Sequence, residues 1–342
     1  MPVQPRRVTA ADVAARAGCS TAAVSLWLNG KSEGRLTEAW QQRIQLAVAE
    51  LGYVPNRAAR SLSLGDTRTL VFLFPDARFS FFGDVVDGVA NSLGGEWEVL
   101  FVDSRRRDGA VTPSPIERAL AMSPAAIIMV GPSAKDVADL ALVKVPTVAI
   151  DVPGLPDHVS SVEIDFDQAL RDLSADLVSS GITTVGYVGY DVPSISVMGR
   201  RPTVASALDA AGITLLDPEF DLRLGNVDVA AAADAFEENW PRWRAAGVQA
   251  VVCGDERHAY AVVTAARRLG LSIPDDVALV SFHDLDPAAL LSPSLSSIRV
   301  PGRELGSSAG QLLLDSLATG TPSTQVIVAE YISRESTPGA RA

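Results

Sequence analysis

From Thr69 onward the sequence alternates short apolar runs with stretches of helical periodicity, and this alternation narrows the possible folds more than any other feature. The apolar runs are "TLVFLF", "WEVLFV", "AAIIMV", "PTVAI", "TTVGYVG", "QAVVCG" and "DVALVSF". Between them lie "FGDVVDGVANSLGG", "PIERALAMS", "KDVADLALVK", "DQALRDLSADLVSSG", "PTVASALDAAG" and "HAYAVVTAARRLG". Strands that are apolar along their whole length, rather than at every second residue, are buried on both faces. Separated by helices, they join as βαβ units into parallel sheets. Ligands of such sheets sit at the carboxyl ends of the strands, where loops lead into helices.

At 342 residues the chain is long enough for two or three domains. Apolar residues make up 47 % and charged residues 20 %, which supplies ample core. No run approaches the roughly 20 apolar residues needed to span a bilayer. "MPVQPRRVTAADV" carries two arginines with no apolar signal segment behind them. Cys19 and Cys253 are far apart and lack the His or Cys neighbours of a zinc site. The expectation is a cytoplasmic protein without a metal or cofactor.

The net charge of −12 is unevenly spread. Residues 1–62 hold eight Lys or Arg against four acids, a net of +4, which leaves −16 on the remainder. A basic head on an acidic body points to nucleic-acid binding by the head. In that head Thr9 can cap a helix with Asp12 three residues on. Val13, Ala14 and Ala17 then share one face, and Gly18 ends the helix. Ser20 caps a second helix, "TAAVSLWLN", with Val24 and Leu28 on the buried side. Thr37 caps a third, whose Ile44, Ala47, Val48 and Leu51 make one core stripe before Gly52 stops it. The first two helices, joined by a short glycine-containing turn, form a helix-turn-helix, whose second helix normally enters the major groove. A purely structural three-helix module is the other reading of the same pattern.

With "DVAARAGCSTAAVSLWLNG", then "ELGYVPNRAARSL", then the long αβ body, the chain resembles the lactose-repressor family of bacterial transcription regulators across essentially its whole length. The resemblance implies an all-α helix-turn-helix head with a hinge helix, and a two-lobed α/β body similar to periplasmic binding proteins. The implied boundaries are 1–54 for the head and 55–67 for hinge and linker. The N-terminal lobe would comprise 68–164 plus 298–325, and the C-terminal lobe 165–297 plus 326–342, with crossings near 163–165, 297–299 and 324–327. Asn56 to Leu62 would be the hinge, with Leu62 wedging into the minor groove at the operator centre.

The DNA-contacting residues are then expected to be Ser20, Thr21, Ala22, Ser25, Leu26, Asn29, Lys31, Arg35, Asn56, Arg57, Arg60 and Leu62. Many relatives hold an arginine where this chain has Leu26, and that residue can grip guanine bidentately. Here Thr21 and Ser25 can hydrogen-bond base edges, while Ala22 and Leu26 can pack on thymine methyls. Charge must come from the flanks, from Arg6, Arg7, Lys31, Arg35, Arg57 and Arg60, and phosphate contacts give affinity and register rather than sequence.

Expected effector residues follow from strand ends. They are Phe79, Phe81 and Phe82 after the first strand, Asp151 after the fourth, and Arg200, Asp255 and His283 in the second lobe. Phe79, Phe81 and Phe82 could stack on a sugar or base, or one of them could fill the core. "RRPTVASALDAAG" matches the family pattern R-x-x-G-x-x-x-A-L-x-x-A-G, with Arg200 retained and Thr203 in the glycine position. Gly254 stands where asparagine is usual, and Ser281 and His283 replace the usual Gly and first Asp of "VSFHDLD". The implied partners are operator DNA, a second copy of the chain, and a small-molecule effector that could be a carbohydrate. For His283 the alternatives are a cleft hydrogen-bond partner and a solvent-facing histidine. Arg105 to Arg107 read as a solvated loop, or as a site for a phosphorylated ligand or protein partner. Leu312, Leu313 and Leu317 fit lobe packing and dimerisation.

Three rivals share parts of this pattern. One is a sugar-binding protein whose DNA-binding role is degenerate, and another is a secreted binding protein, which would have no need of the head. The third is an enzyme, for which no G-x-G-x-x-G or P-loop is present.

Overall fold

The computed structural model describes residues 8–28, 30–54, 68–75, 79–104, 113–141, 143–225 and 228–341. It divides into two units, Met1–Thr67 and Arg68–Ala342. The expected hinge at 55–67, Asn29, and the arginines at 6, 7 and 105–107 lie outside the described residues.

In the head, α1 (Ala10–Ala17), α2 (Thr21–Leu28) and α3 (Glu38–Leu51) follow their capping signals. The Thr9 hydroxyl accepts from the Asp12 N–H at 3.3 Å, and the Asp12 carboxylate accepts from the Thr9 N–H at 2.8 Å. Two otherwise orphaned donors are thereby satisfied. Gly18 and Gly52 end α1 and α3 at φ 73° and 58°, in the left-handed region that suits glycine. Val13, Ala14, Ala17, Val24, Ile44 and Ala47 form the core. Leu28, expected to be buried beside Val24, is half-buried at the last position of α2, as are Val48 and Leu51 at the core margin.

The body opens with β1 (Thr69–Phe74), α4 (Ser80–Leu93), β2 (Glu98–Asp103), α5 (Pro115–Leu120), β3 (Ala126–Val130), α6 (Ala134–Leu140), β4 (Thr147–Ile150) and β5 (Ser160–Asp165). It continues with α7 (Asp167–Ser179), β6 (Thr184–Tyr190), α8 (Ile195–Ala210), β7 (Thr214–Leu215), β8 (Leu222–Leu224), α9 (Val229–Ala245), β9 (Ala250–Cys253) and α10 (Glu256–Leu269). It ends with β10 (Ala278–Phe282), α11 (Asp286–Leu290), β11 (Ser296–Arg299), α12 (Gly302–Thr319), β12 (Thr324–Val328) and β13 (Glu330–Ile332).

All seven apolar runs are strands. They join two sheets, of order β12-β5-β4-β3-β1-β2 and β13-β11-β10-β9-β6-β7, with β8 also paired to β6. Every pairing is parallel except β11 with β13. The chain leaves the first sheet after Asp165, returns after Arg299 and leaves again after Val328. The last passage thus comes slightly beyond the expected 325/326 boundary, because β12 keeps its pairing with β5 through Val328 and Asp165.

Within the first lobe α12 packs directly on α4. A Cβ at Gly306 would lie 1.9 Å from the Val85 carbonyl oxygen, and one at Gly88 would lie 2.1 Å from that of Arg303. The two backbones therefore meet at glycines, and no larger residue fits either place. Leu312 and Leu313 are buried inside this lobe, whereas Leu317 is 40 % exposed. The first two serve lobe packing rather than an outer surface.

Candidate functional site

On the head, Ser20, Thr21, Ala22 and Ser25 are exposed along one side of α2, and Leu26 is half-buried. The Ser20 hydroxyl accepts from the Ala23 N–H at 3.2 Å, so this serine works as the cap of α2. Lys31 and Arg35 are exposed in the loop that follows. The α2 helix carries no acidic residue in its first turn and no basic residue in its last. Its exposed side offers hydroxyls and methyls, and the charge lies beside it.

In the body, both sheets have a switch in strand order: between β1 and β3 in the first, between β6 and β9 in the second. Loops diverge at such points and leave a crevice at the strand ends. The two switch points face one another. The Ile195 N–H at the start of α8 donates to the Pro132 carbonyl after β3 at 3.0 Å. Arg257, after β9, places its guanidinium 4.6 Å from the Phe79 ring centre, after β1.

His283 closes the crevice. It follows β10 with φ 67°, unusual for a non-glycine residue, and is 1 % exposed. Its ring centre lies 4.4 Å from that of Phe81 and 5.0 Å from that of Phe79. The solvent-facing alternative for His283 is therefore overturned. Neither of its nitrogens has a hydrogen-bond partner among the described residues. Burial first, and the Arg200 charge second, hold its pKa well below the usual histidine value.

Phe79 and Phe81 are buried, and Phe82 is half-buried against both. All three pack in or against the first-lobe core, and the first two also present their rings to His283. In this arrangement the rings stack on one another and, for Phe79 and Phe81, on His283. Asp151 follows β4 with φ 57°. Burial raises its pKa to about 6, opposed by Arg200 and reinforced by Glu163.

Arg200 reaches from α8 across the end of β9. Its Nη1 donates to the Gly254 carbonyl at 2.7 Å, and its guanidinium lies 5.3 Å from the Phe282 ring centre. Its buried Nε has no partner among the described residues.

Asp255 is differently engaged than expected. Its carboxylate caps α10 by accepting from the Arg257 N–H at 2.8 Å. It also accepts from the Tyr190 hydroxyl at 2.7 Å and from Arg257 Nε and Nη2 at 3.2 Å each. Burial would raise its pKa, but the Arg257 hydrogen bonds and charge hold it below the ordinary value. This carboxylate is saturated by its own neighbours, since four donors fill the sites it offers.

Sequence reasoning missed three members of this cluster: Tyr190, Arg257 and His258. His258 is fully buried, its ring centre 4.3 Å from that of Tyr190, with both nitrogens unpartnered among the described residues. Burial lowers its pKa to about 4. The signal was available, because Tyr190 follows the run "TTVGYVG" and "DERH" follows "QAVVCG", and strand ends are where ligands bind.

Gly254 also acquires a physical reason. A Cβ there would stand 2.7 Å from the Tyr187 hydroxyl oxygen. Tyr187 fills the space that a larger side chain would need. Thr203, in the place of the expected glycine, is accommodated at the surface of α8 with its hydroxyl donating to the Gly199 carbonyl at 2.9 Å.

Beneath the crevice, Asp284 takes both oxygens into ion pairs. Arg334 Nη1 approaches Oδ1 at 2.6 Å, and Arg299 Nη2 approaches Oδ2 at 2.8 Å. Burial would raise the Asp284 pKa, but the two guanidinium groups hold it below the ordinary value. No helix among the described residues is long and apolar enough to cross a membrane.

Comparison with known proteins agrees with this architecture. Residues 9–56 match the family described as bacterial regulatory proteins, lacI family, and residues 175–337 match the periplasmic binding protein-like domain. The HTH-type transcriptional regulator RegA of Clostridium saccharobutylicum is 26 % identical, over 95 % of this chain and 98 % of that protein. The maltose regulon regulatory protein MalI of Escherichia coli (strain K12) is 26 % identical over 88 % of this chain and 90 % of its own length. Among solved structures, a lac repressor dimer bound to operator and the anti-inducer ONPF shares the fold with a TM-score of 0.77. It is 20 % identical, covering 97 % of this chain and 99 % of that one. A complex of the transcriptional regulator CelR with cellobiose has a TM-score of 0.67 at 24 % identity, covering 96 % of this chain and 100 % of that one.

Proposed function

We infer that this chain, which belongs to the lacI family of bacterial regulatory proteins, is a dimeric repressor whose hold on operator DNA is set by a small molecule between its two lobes. The observation that carries the DNA half is the exposed row Ser20, Thr21, Ala22 and Ser25 on the second helix of a helix-turn-helix, flanked by Lys31 and Arg35. Hydroxyls and methyls of that row read base edges, and the flanking cations bind phosphate. Asn29, Asn56, Arg57 and Arg60 add backbone contacts, and Leu62 from each subunit pries the central base step. The protein acts in the cytoplasm, by binding and not by catalysis.

The effector half rests on five buried nitrogens of Arg200, His258 and His283 that have no partner among the described residues and lie by the contact of His283 with Phe79 and Phe81. Buried polar atoms without partners are uncommon and costly. A ligand entering between the lobes satisfies them, with Asp151, Phe79 and Phe81 completing the wall and the Tyr190–Asp255–Arg257 network as its rigid frame. A change in lobe angle alters the spacing of the two hinges, and a coupling of about 1–3 kcal/mol changes operator affinity roughly 5- to 150-fold.

Gel retardation and DNA-bending measurements on Leu62→Ala test the hinge. The variant should lose bending and bind more weakly; parental bending would refute this role. Arg200→Ala should abolish the effector response, and an unchanged response would remove the cleft assignment.

A further inference from the structure

We propose that the effector of this cleft is a planar aromatic carboxylate, its carboxylate held by Arg200 and the histidines and its ring seated against Phe79, Phe81 and His283. This rests on the cleft being the effector site, as argued above.

The polar inventory favours an acceptor-rich ligand. Neutral imidazoles offer one donor and one acceptor each, and the Arg200 Nε offers a donor. His258, His283 and Arg200 therefore leave three donors and two acceptors unsatisfied among the described residues. Arg200 forms no ion pair among the described residues, so its charge has a backbone carbonyl but no carboxylate as direct partner. Asp255 cannot balance it, because Tyr190 and Arg257 already occupy that carboxylate. A polyol presents a hydroxyl proton with every oxygen, whereas the donors left by Arg200 and the histidines outnumber the acceptors three to two. A carboxylate presents acceptors only, and a guanidinium is its natural planar partner.

The apolar inventory favours a flat ring. Phe79 and Phe81 lie on His283, the Arg257 guanidinium lies over Phe79, and that of Arg200 over Phe282. Parting the lobes breaks the Phe–His and Phe79–Arg257 contacts, each of a kind that depends on a π face. An aromatic ring inserted between the lobes restores such contacts on both of its faces, whereas a saturated ring offers no π face to Arg257 or His283.

The test is calorimetric titration of the purified full-length protein with benzoate, 4-hydroxybenzoate and phthalate. Cyclohexanecarboxylate, glucose and cellobiose are the comparators, and Arg200→Gln and His283→Phe are titrated in parallel. The proposal expects at least one aromatic carboxylate to bind tenfold or more tightly than cyclohexanecarboxylate, and each variant to weaken it at least tenfold. Binding by none of the aromatic carboxylates overturns the proposal. If a saccharide binds instead and both variants abolish it, the ligand class is wrong while the cleft remains the effector site. If an aromatic carboxylate binds equally well to the parent and both variants, its seat is elsewhere and the cleft reading fails with the proposal.

Discussion

His283 and Phe81, from opposite lobes, lie with ring centres 4.4 Å apart, and the histidine is buried with both nitrogens unpartnered among the described residues. A neutral imidazole there is compatible with the aromatic contact, whereas an imidazolium lacks solvation. His258, also buried, meets the same constraint.

Stability should therefore depend on pH, with opposing contributions. The folded pKa of His258 is lowered to about 4, so below the ordinary value of 6.5 the unfolded chain takes up a proton that the folded chain refuses. Its contribution is present above pH 6.5 and lost as pH falls toward 4, amounting to about 2 kcal/mol by pH 5. Glu256 is buried, and its pKa is raised to about 7 by burial, against the Leu285 N–H and Tyr260 hydroxyl that it accepts from. There the folded chain takes the proton first, and stability rises as pH falls from 7 toward 4.5. Denaturant unfolding at pH 7.5, 6 and 5 should show Glu256→Gln losing stability more steeply on acidification than the parent, and His258→Phe less steeply. Parallel profiles for all three proteins would contradict this.

Gly306 tests the glycine contact between α4 and α12. Gly306→Ala forces a methyl against the Val85 carbonyl, and overpacking of this kind typically costs about 1–3 kcal/mol and occasionally more. With backbone as the obstacle, thermal unfolding followed by circular dichroism should place the loss at or above the top of that range. Gly199→Ala, where nothing lies within 4 Å of the added methyl, is the matched control and should not be destabilised.

Gly254 and Tyr187 should be coupled. Gly254→Ala sets a methyl against the Tyr187 hydroxyl and destabilises the second lobe. Tyr187→Phe removes that oxygen, leaving the nearest ring carbon at an ordinary 3.5 Å. A double-mutant cycle should recover most of the loss in the double variant. Additive losses would show that the hydroxyl is not what excludes larger residues.

The head should respond through charge and through α2 separately. Lys31→Gln or Arg35→Gln should weaken binding to all duplexes similarly and lower the salt slope by about 0.9 each. Leu26→Arg should shift preference toward guanine at one position of each half-site. A sequence shift from Lys31→Gln, or none from Leu26→Arg, would reverse these assignments.

Much of this fold was legible because its signals are local. Thr9, Ser20, Thr37, Gly18 and Gly52 announce helix ends within a few residues, and strands buried on both faces announce themselves by continuous apolarity. β5 and β12 were not announced. "SSVEID" mixes polar and apolar residues, and β12 is an edge strand with four of its five residues exposed. α8 begins at Ile195 and runs through Pro202, where proline suggested a start. The site was legible as a set of positions but not as a network. Asp255 was identified while its saturation by Tyr190 and Arg257 was not, since Tyr190 lies 65 residues away and only the pairing of β6 with β9 brings the two together.

The central claim is that a helix without charged residues reads a specific operator. It is tested most directly by selecting bound duplexes from a random DNA pool with the purified protein at two salt concentrations, read by sequencing. The account predicts a near-palindromic motif with a fixed centre, enriched at both salts. Enrichment of no motif, with binding that merely fades as salt rises, would mean phosphate contact alone and would contradict it.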